Sequence, residues 1–188
     1  LQKDIYNIVY NMQQAAFSYC SPGKSYKDAH IVSAKIAVEG LISLGIMKGN
    51  STDAVQAGAH ALFFPHGLGH MLGLDVHDME GLGEDLVGYD NNSDRSDQFG
   101  LAYLRLAKDL QVGFVLTVEP GIYFIPSLID QWEAENKYRN FINYDALKTF
   151  KGFGGIRIED NIVITQDGYR LLGPAIPSTI DDIEAVMA

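Results

Sequence analysis

The 188-residue sequence predicts an α+β fold, a mainly antiparallel sheet covered by helices. Three observations carry that prediction. Apolar residues recur at helical spacing through the first third of the chain. β-Branched runs broken by glycine and proline occupy the later part, and the last of them is joined to the next by a hairpin turn. The length suits one domain with a real core and is too short for two, so residues 1–188 are expected to form a single domain.

Ile5, Ile8, Val9, Met12, Ala16 and Tyr19 mark a first helix, which Ser21-Pro22-Gly23 stops. A second helix is predicted from Ser25, with Asp28 three residues on as its capping partner. Its apolar stripe runs through Ala29, Val32, Ile36, Leu41 and Leu44, and Gly45 and Gly49 mark its end. Thr52 is expected to cap a short third helix through Ala59. Leu72, Leu74 and Val76 alternate with smaller or polar residues, as in a strand, and residues 101–110 read as a short helix. Residues 114–119 form a β-branched run broken by Pro120-Gly121. Gly154-Gly155 opens another, residues 156–165, which Asp167-Gly168 turns back into 169–172 as a hairpin. Pro177-Ser178-Thr179 caps a terminal helix whose first turn holds Asp181 and Asp182, where the helix dipole favours acids.

Acidic residues outnumber basic ones, 24 to 14, for a formal net charge of −10. Nucleic-acid binding needs a basic face, so that class is set aside. Part of the acidity lies in residues 83–97, with Glu84, Asp85, Asp90, Asp94 and Asp97, a pattern that reads as a surface insertion rather than a metal trap. No apolar run approaches the roughly 20 residues that span a bilayer, so no membrane role is expected. The lone Cys20 cannot form an internal disulfide, which fits a cytoplasmic protein.

Four of the five histidines fall between His60 and His77. Three of them, His66, His70 and His77, lie within twelve positions among glycines that let backbone and ligands approach closely. This is not the helical HExxH zinc motif, because Gly67 stands in the glutamate position and Gly67 and Gly69 disfavour a helix. Alternation places Val115, Thr117 and Glu119 on one strand face, with the glutamate at the end. Arg157 and Glu159 likewise share a face opposite Ile156 and Ile158. Carboxylates ending apolar strands are expected to be partly buried and then need a cation or hydrogen bonds. An Arg157–Glu159 pair on a solvated face is the alternative. Carboxylates with one imidazole suit manganese, cobalt or zinc better than copper.

The stretches PHGLGHMLGLDVHD, TVEPGIYF and GGIRIEDNIVIT resemble, in order, the motifs of the prolidase and aminopeptidase P branch of the pita-bread metallopeptidases. The resemblance runs over essentially the whole chain. It implies the pita-bread fold and hydrolysis of the peptide bond before proline, in a dipeptide or at a peptide N-terminus. It also implies two divalent metal ions, manganese first, with cobalt or zinc as alternatives. His70, Glu119 and Glu159 match family metal ligands, and Glu119 inherits the role of general base toward a metal-activated water. His66 and His77 match residues that bind substrate or stabilise the developing oxyanion, and Arg157 matches a residue that orients the ligands from behind. Arg105 stands where prolidases bind the proline carboxylate of a dipeptide, although a solvated arginine is the bland alternative.

The family's two aspartate ligands have no match here, since Asp4, Asp28 and Asp53 all fall in helical or cap contexts. The chain is therefore expected to be a piece of the catalytic domain lacking its opening strands. It should be inert alone, hold one metal or none, and either associate with itself through the exposed sheet edge, as a homo-oligomer, or have a disordered first helix. Two other classes share the fold: metal-free modules that bind peptides or proteins, and creatinase-like amidinohydrolases. Retention of His70, Glu119 and Glu159 together argues against both.

Overall fold

The computed structural model describes all 188 residues. α1 (Gln2–Tyr19) and α2 (Tyr26–Ser43) lie side by side, and Gly40 permits the contact, since a Cβ there would fall 2.6 Å from the Ile8 side chain. α1 buries Ile5, Ile8, Val9, Met12, Gln13, Ala16 and Phe17, close to the predicted stripe, while Tyr19 is only partly covered. The Ser25 hydroxyl accepts from the Asp28 amide at 3.3 Å, which caps α2 as expected. Its buried face is wider than the predicted stripe and displaced from it. Ala29, His30, Ser33, Ala34, Ala37, Val38 and Leu41 are buried, whereas Val32 and Ile36 are only partly covered. α2 is covered on two sides, by α1 and by the elements that follow it, so one amphipathic stripe does not describe it.

α3 (Ser51–Ala57) is capped by Asn50 and not by Thr52: the Asn50 carboxamide accepts from the Thr52 and Asp53 amides at 2.9 and 3.1 Å. It stops at Ala57, before Ala59, because Gly58 adopts a left-handed conformation at φ 91°. A 3₁₀ turn, Ala59–Leu62, follows. The acidic stretch carries one short helix, α4 (Glu84–Gly88).

The predicted strand at 72–76 is absent. The chain bends at Gly73, against the Asp78 carboxyl, and leaves Leu74 and Val76 exposed, so their alternation belongs to a surface bend. Residues 101–110 form turns rather than a helix. Their backbone groups bond elsewhere: Tyr26 donates to Lys108 O at 3.1 Å, Leu110 to Lys24 O at 2.9 Å, and Ala107 to Gly88 O at 2.7 Å. Tertiary pairing has taken the bonds that a helix needs.

β1 (Val115–Val118) pairs antiparallel with β4 (Asp160–Thr165), which pairs in turn with β5 (Gly168–Leu171). β2 (Gly121–Phe124) pairs antiparallel with β3 (Gly154–Arg157) in a second sheet. The run 156–165 is thus two strands in two sheets. Both ladders share one register, in which Val118 faces Asp160 and Gly121 faces Arg157. The two breaks, Glu119-Pro120 and Ile158-Glu159, therefore lie opposite each other, joined by Ile158 N–H to Pro120 O at 3.3 Å. Pro120 has no N–H, so the ladder cannot run through unbroken. α5 (Pro126–Ala134) and α6 (Tyr144–Leu147) bridge β2 to β3. α7 (Ile180–Met187) closes the chain, capped by the Thr179 hydroxyl, which accepts from the Asp182 amide at 3.2 Å. No helix is long and apolar enough to cross a membrane.

Candidate active-site cleft

The histidine segment is held by backbone pairing along the free edge of β1. Leu72 N–H donates to Val115 O at 3.0 Å, Thr117 N–H to His70 O at 3.0 Å, and Glu119 N–H to Leu68 O at 2.8 Å. Gly69 is required at the point of closest approach, where a Cβ would stand 2.1 Å from Thr117 O. Behind β1, the Tyr26 hydroxyl donates to Thr117 O at 2.5 Å and Gln13 Nε2 to Val118 O at 3.3 Å. The strand is thereby fixed to both long helices.

Glu119 lies at the break after β1, with little solvent exposure, and three groups converge on it. Thr117 Oγ1 donates to Oε1 at 3.0 Å, Arg157 Nη1 donates to Oε2 at 2.9 Å, and His70 Nε2 stands 3.3 Å from Oε1. Burial pushes its carboxyl pKa up, but His70, Thr117 and Arg157 outweigh that and hold it below the usual range. His70 Nδ1 bonds Met71 O at 2.9 Å, and its amide donates to Thr117 Oγ1 at 3.0 Å. Burial opposes the charged imidazole, yet Glu119 and the Met71 carbonyl raise its pKa. His66 is the opposite case: burial lowers its pKa, with Arg157 adding to the effect. Its Nδ1 bonds Gly67 O at 2.7 Å, while Nε2 meets the Tyr123 hydroxyl at 3.2 Å and Arg157 Nη2 at 3.2 Å. Both of those can donate, so a neutral ring with its proton on Nδ1 satisfies every contact. Arg157 Nε also donates to the Tyr123 hydroxyl oxygen at 2.6 Å.

The rim is charged. The His77 ring packs edge-to-face on His70, with centroids 4.3 Å apart. Arg105 pairs with Glu80 and lies 3.3 Å from His77 Nδ1, and Glu84 stands between Arg105 at 3.7 Å and Arg95 at 3.3 Å. These groups enclose a cleft of about 390 Å³ lined by His66, His70, His77, Arg105, Glu119 and Arg157, among others.

The description "Metallopeptidase family M24" matches residues 1–166. The chain belongs to metallopeptidase family M24. It is 43% identical over 187 residues to the Xaa-Pro dipeptidase of Homo sapiens, covering 100% of this chain and 36% of that protein. It is 39% identical over 185 residues to a probable Xaa-Pro aminopeptidase of Botryotinia fuckeliana, covering 98% and 38%. Aminopeptidase P of Escherichia coli superposes with a TM-score of 0.70 at 34% identity, over 99% of this chain and 34% of that one, both zinc-substituted with product and with the inhibitor Pro-Leu. The expected pita-bread relationship and α+β class are therefore correct. The chain spans about a third of the length of the relatives it matches.

Six of the seven site residues marked in this M24 sequence line one cleft: His66, His70, His77, Arg105, Glu119 and Arg157. Glu159 does not. Register places it opposite Glu119, but its side chain is exposed rather than partly buried as expected, and it is absent from the cleft lining. No group of three or more His, Cys, Asp or Glu side chains converges as a metal cluster. Two donors do suit a divalent cation. Nε2 of His70 and Oε1 of Glu119 face each other at 3.3 Å while Nδ1 is bonded to Met71 O, so a cation can take the place of the proton the pair shares. Sequence reading gave no role to Thr117, Tyr123, Glu80, Glu84 or Arg95. Thr117 was within reach, since its alternation with Glu119 puts both on one face.

Proposed function

We propose that the M24 protein represented by this chain is a metal-dependent peptidase that hydrolyses the bond preceding proline, in a dipeptide or at a peptide N-terminus. The observation that carries this reading is the buried His70–Glu119 pair, fixed by Thr117 and Arg157 in a cleft that His66 and His77 also line. The relatives' names, Xaa-Pro dipeptidase and Xaa-Pro aminopeptidase, supply the substrate class.

His70 and Glu119 are the residues assigned to hold metal here, and Glu159 is assigned as a further ligand because its backbone faces Glu119 in register. A divalent ion at such ligands lowers the pKa of water and polarises a carbonyl. Two ions, manganese first, are proposed for the whole protein; zinc is supported by the zinc-substituted relative. Glu119 takes the proton of the attacking water, its carboxylate kept in orientation by Thr117 at Oε1 and Arg157 at Oε2. Neutral His66 offers Nε2 to a substrate donor, and the exposed His77 donates to the oxygen that gains charge. Arg105 binds the carboxylate of a dipeptide, which favours a dipeptidase over an aminopeptidase.

A homo-oligomer is proposed because β3 and β5 each present an unpaired edge. A cytoplasmic location accords with the lone Cys20, whose thiol burial pushes up to about 12, leaving no reactive thiolate. The test is hydrolysis of Ala-Pro against Ala-Ala by the intact protein, before and after metal chelation. Cleavage of Ala-Pro alone, abolished by chelation and restored by manganese, is expected. Equal cleavage of both, or activity indifferent to chelation, refutes the reading.

A further inference from the structure

Arg105 is the cation that the proposed function offers to a ligand's carboxylate, and its guanidinium already has an anionic partner. Nη1 pairs with Oε2 of Glu80 and stands 3.3 Å from Nδ1 of His77. The same Glu80 oxygen lies 3.8 Å from that His77 nitrogen. The Glu80 oxygen thus pairs with Arg105 from the side, next to His77, and Glu80 stands behind the residues that line the cleft rather than among them.

The neighbouring Arg95 is built differently. Its Nε donates to Asp85 at 2.8 Å, Nη2 pairs with Glu84 at 3.3 Å, and Nη1 donates to Ala102 O at 2.9 Å and Leu104 O at 3.3 Å, while its guanidinium lies 4.5 Å from the centre of the Tyr89 ring. That network fastens α4 to the turn carrying Arg105 and leaves no donor group free for a ligand. The Glu80 side chain itself hydrogen-bonds only to Arg105, which reaches that network through Glu84 at 3.7 Å. It opens the 3₁₀ turn Glu80–Leu82 after Met79, which holds a positive φ of 57°, rare for a residue with a side chain. Around it Leu74, Val76, Met79 and Leu82 are all exposed, so few buried contacts hold the strap in place. The Glu80 side chain is nevertheless only 12% exposed, covered on the Arg105 side.

We infer that Glu80 is a specificity-determining residue for this cleft: its carboxylate holds the Arg105 donor that a ligand's carboxylate needs, and a bound carboxylate ligand must draw Arg105 away from it. This rests on the Xaa-Pro peptidase reading above and adds a competitor to it. A substrate with a free proline carboxylate exchanges one charge-assisted pair for another, so its affinity is reduced by the cost of releasing Glu80. A substrate lacking that carboxylate leaves Glu80 where it is. The strap therefore loosens only when a carboxylate ligand binds.

The experiment compares Ala-Pro with its C-terminal amide. In the metal-loaded intact protein, Glu80→Gln keeps the side-chain shape and removes the charge. KM for Ala-Pro should fall roughly two- to fivefold, the range of a partly exposed ion pair, with kcat and the amide's KM unchanged. A rise in KM for Ala-Pro shows that Glu80 merely holds Arg105 in position and overturns the proposal; so does an equal change on both substrates. A second measurement needs no turnover. Hydrogen exchange on the wild-type 188-residue chain should quicken at the strap amides that close the turn, Leu82 to Met79 O and Gly83 to Glu80 O, when Ala-Pro is added and not when the amide is. Equal exchange with both compounds, or no change with either, overturns the proposal. If the intact wild-type protein cleaves neither compound, the peptidase reading fails on its own and the exchange result still decides the role of Glu80.

Discussion

Nε2 of His70 and Oε1 of Glu119 stand 3.3 Å apart in a site nearly closed to solvent, while Nδ1 of the same ring bonds Met71 O at 2.9 Å. The Met71 carbonyl selects which nitrogen faces the carboxylate, so the pair is oriented before any cation arrives. His70→Ala should lower the affinity of this chain for manganese or zinc by at least about tenfold, as loss of a ligand or its orienting partner does. Isothermal titration calorimetry reads the change, and unaltered affinity would place metal binding elsewhere.

Gly69→Ala should be among the most damaging single changes. Its methyl group would meet Thr117 O at 2.1 Å, a backbone atom that can give way only if the pairing of residues 68–72 with β1 opens. A loss of about 3 kcal/mol is expected, at the upper end for steric overpacking. Denaturant unfolding measures it, and a loss under about 1 kcal/mol would show that the pairing is not needed for stability.

Two buried histidines give the fold an acid limit. His60 is lowered to about 4, by burial first, and burial pushes His30 well below the ordinary range, with nearby His60 and His66 adding to the effect. An unfolded histidine binds its proton near pH 6.5. The unfolded chain therefore protonates first, and stability is lost as pH falls from about 6.5 toward 4. For His60 alone the loss amounts to roughly 3 kcal/mol across that window. His60→Leu should flatten the fall in melting temperature between neutral pH and pH 4.5, and an unchanged slope would exclude His60 as its source.

In the intact protein, Arg105→Ala should weaken cleavage of Xaa-Pro dipeptides much more than that of longer peptides, since only the dipeptide presents its carboxylate there. The loss should fall mainly in KM and reach roughly tenfold or more, read as kcat/KM on Ala-Pro against a tripeptide. Equal loss on both removes the preference for a dipeptidase.

Much of the site was legible because its residues sit in short motifs whose backbone geometry is local. The glycines around His66 and His70, and Glu119 after a β-branched run, announced themselves. What stayed hidden depended on distant partners. Leu72, Leu74 and Val76 alternate as a strand does, yet pairing with β1 stops once the chain bends at Gly73 against Asp78. Residues 101–110 surrender their backbone bonds to Lys24, Tyr26 and Gly88, none of which a local pattern reveals. Glu159 read as a partly buried carboxylate like Glu119, with a solvated pair to Arg157 as the alternative, but at the break opposite Pro120 Arg157 pairs with Glu119 and Glu159 is exposed. Glu80 sat unnoticed among the other acids because its meaning comes only from Arg105, 25 residues away.

The central claim is that Glu119, oriented by Thr117 and Arg157, carries both metal and proton in Xaa-Pro hydrolysis. The most direct measurement is kcat of the manganese-loaded intact protein on Ala-Pro for wild type and Glu119→Gln, which keeps the shape and cannot take up a proton. A fall of at least about 100-fold is predicted, the lower bound for losing a general base. A variant that turns over within a few-fold of wild type would contradict the account.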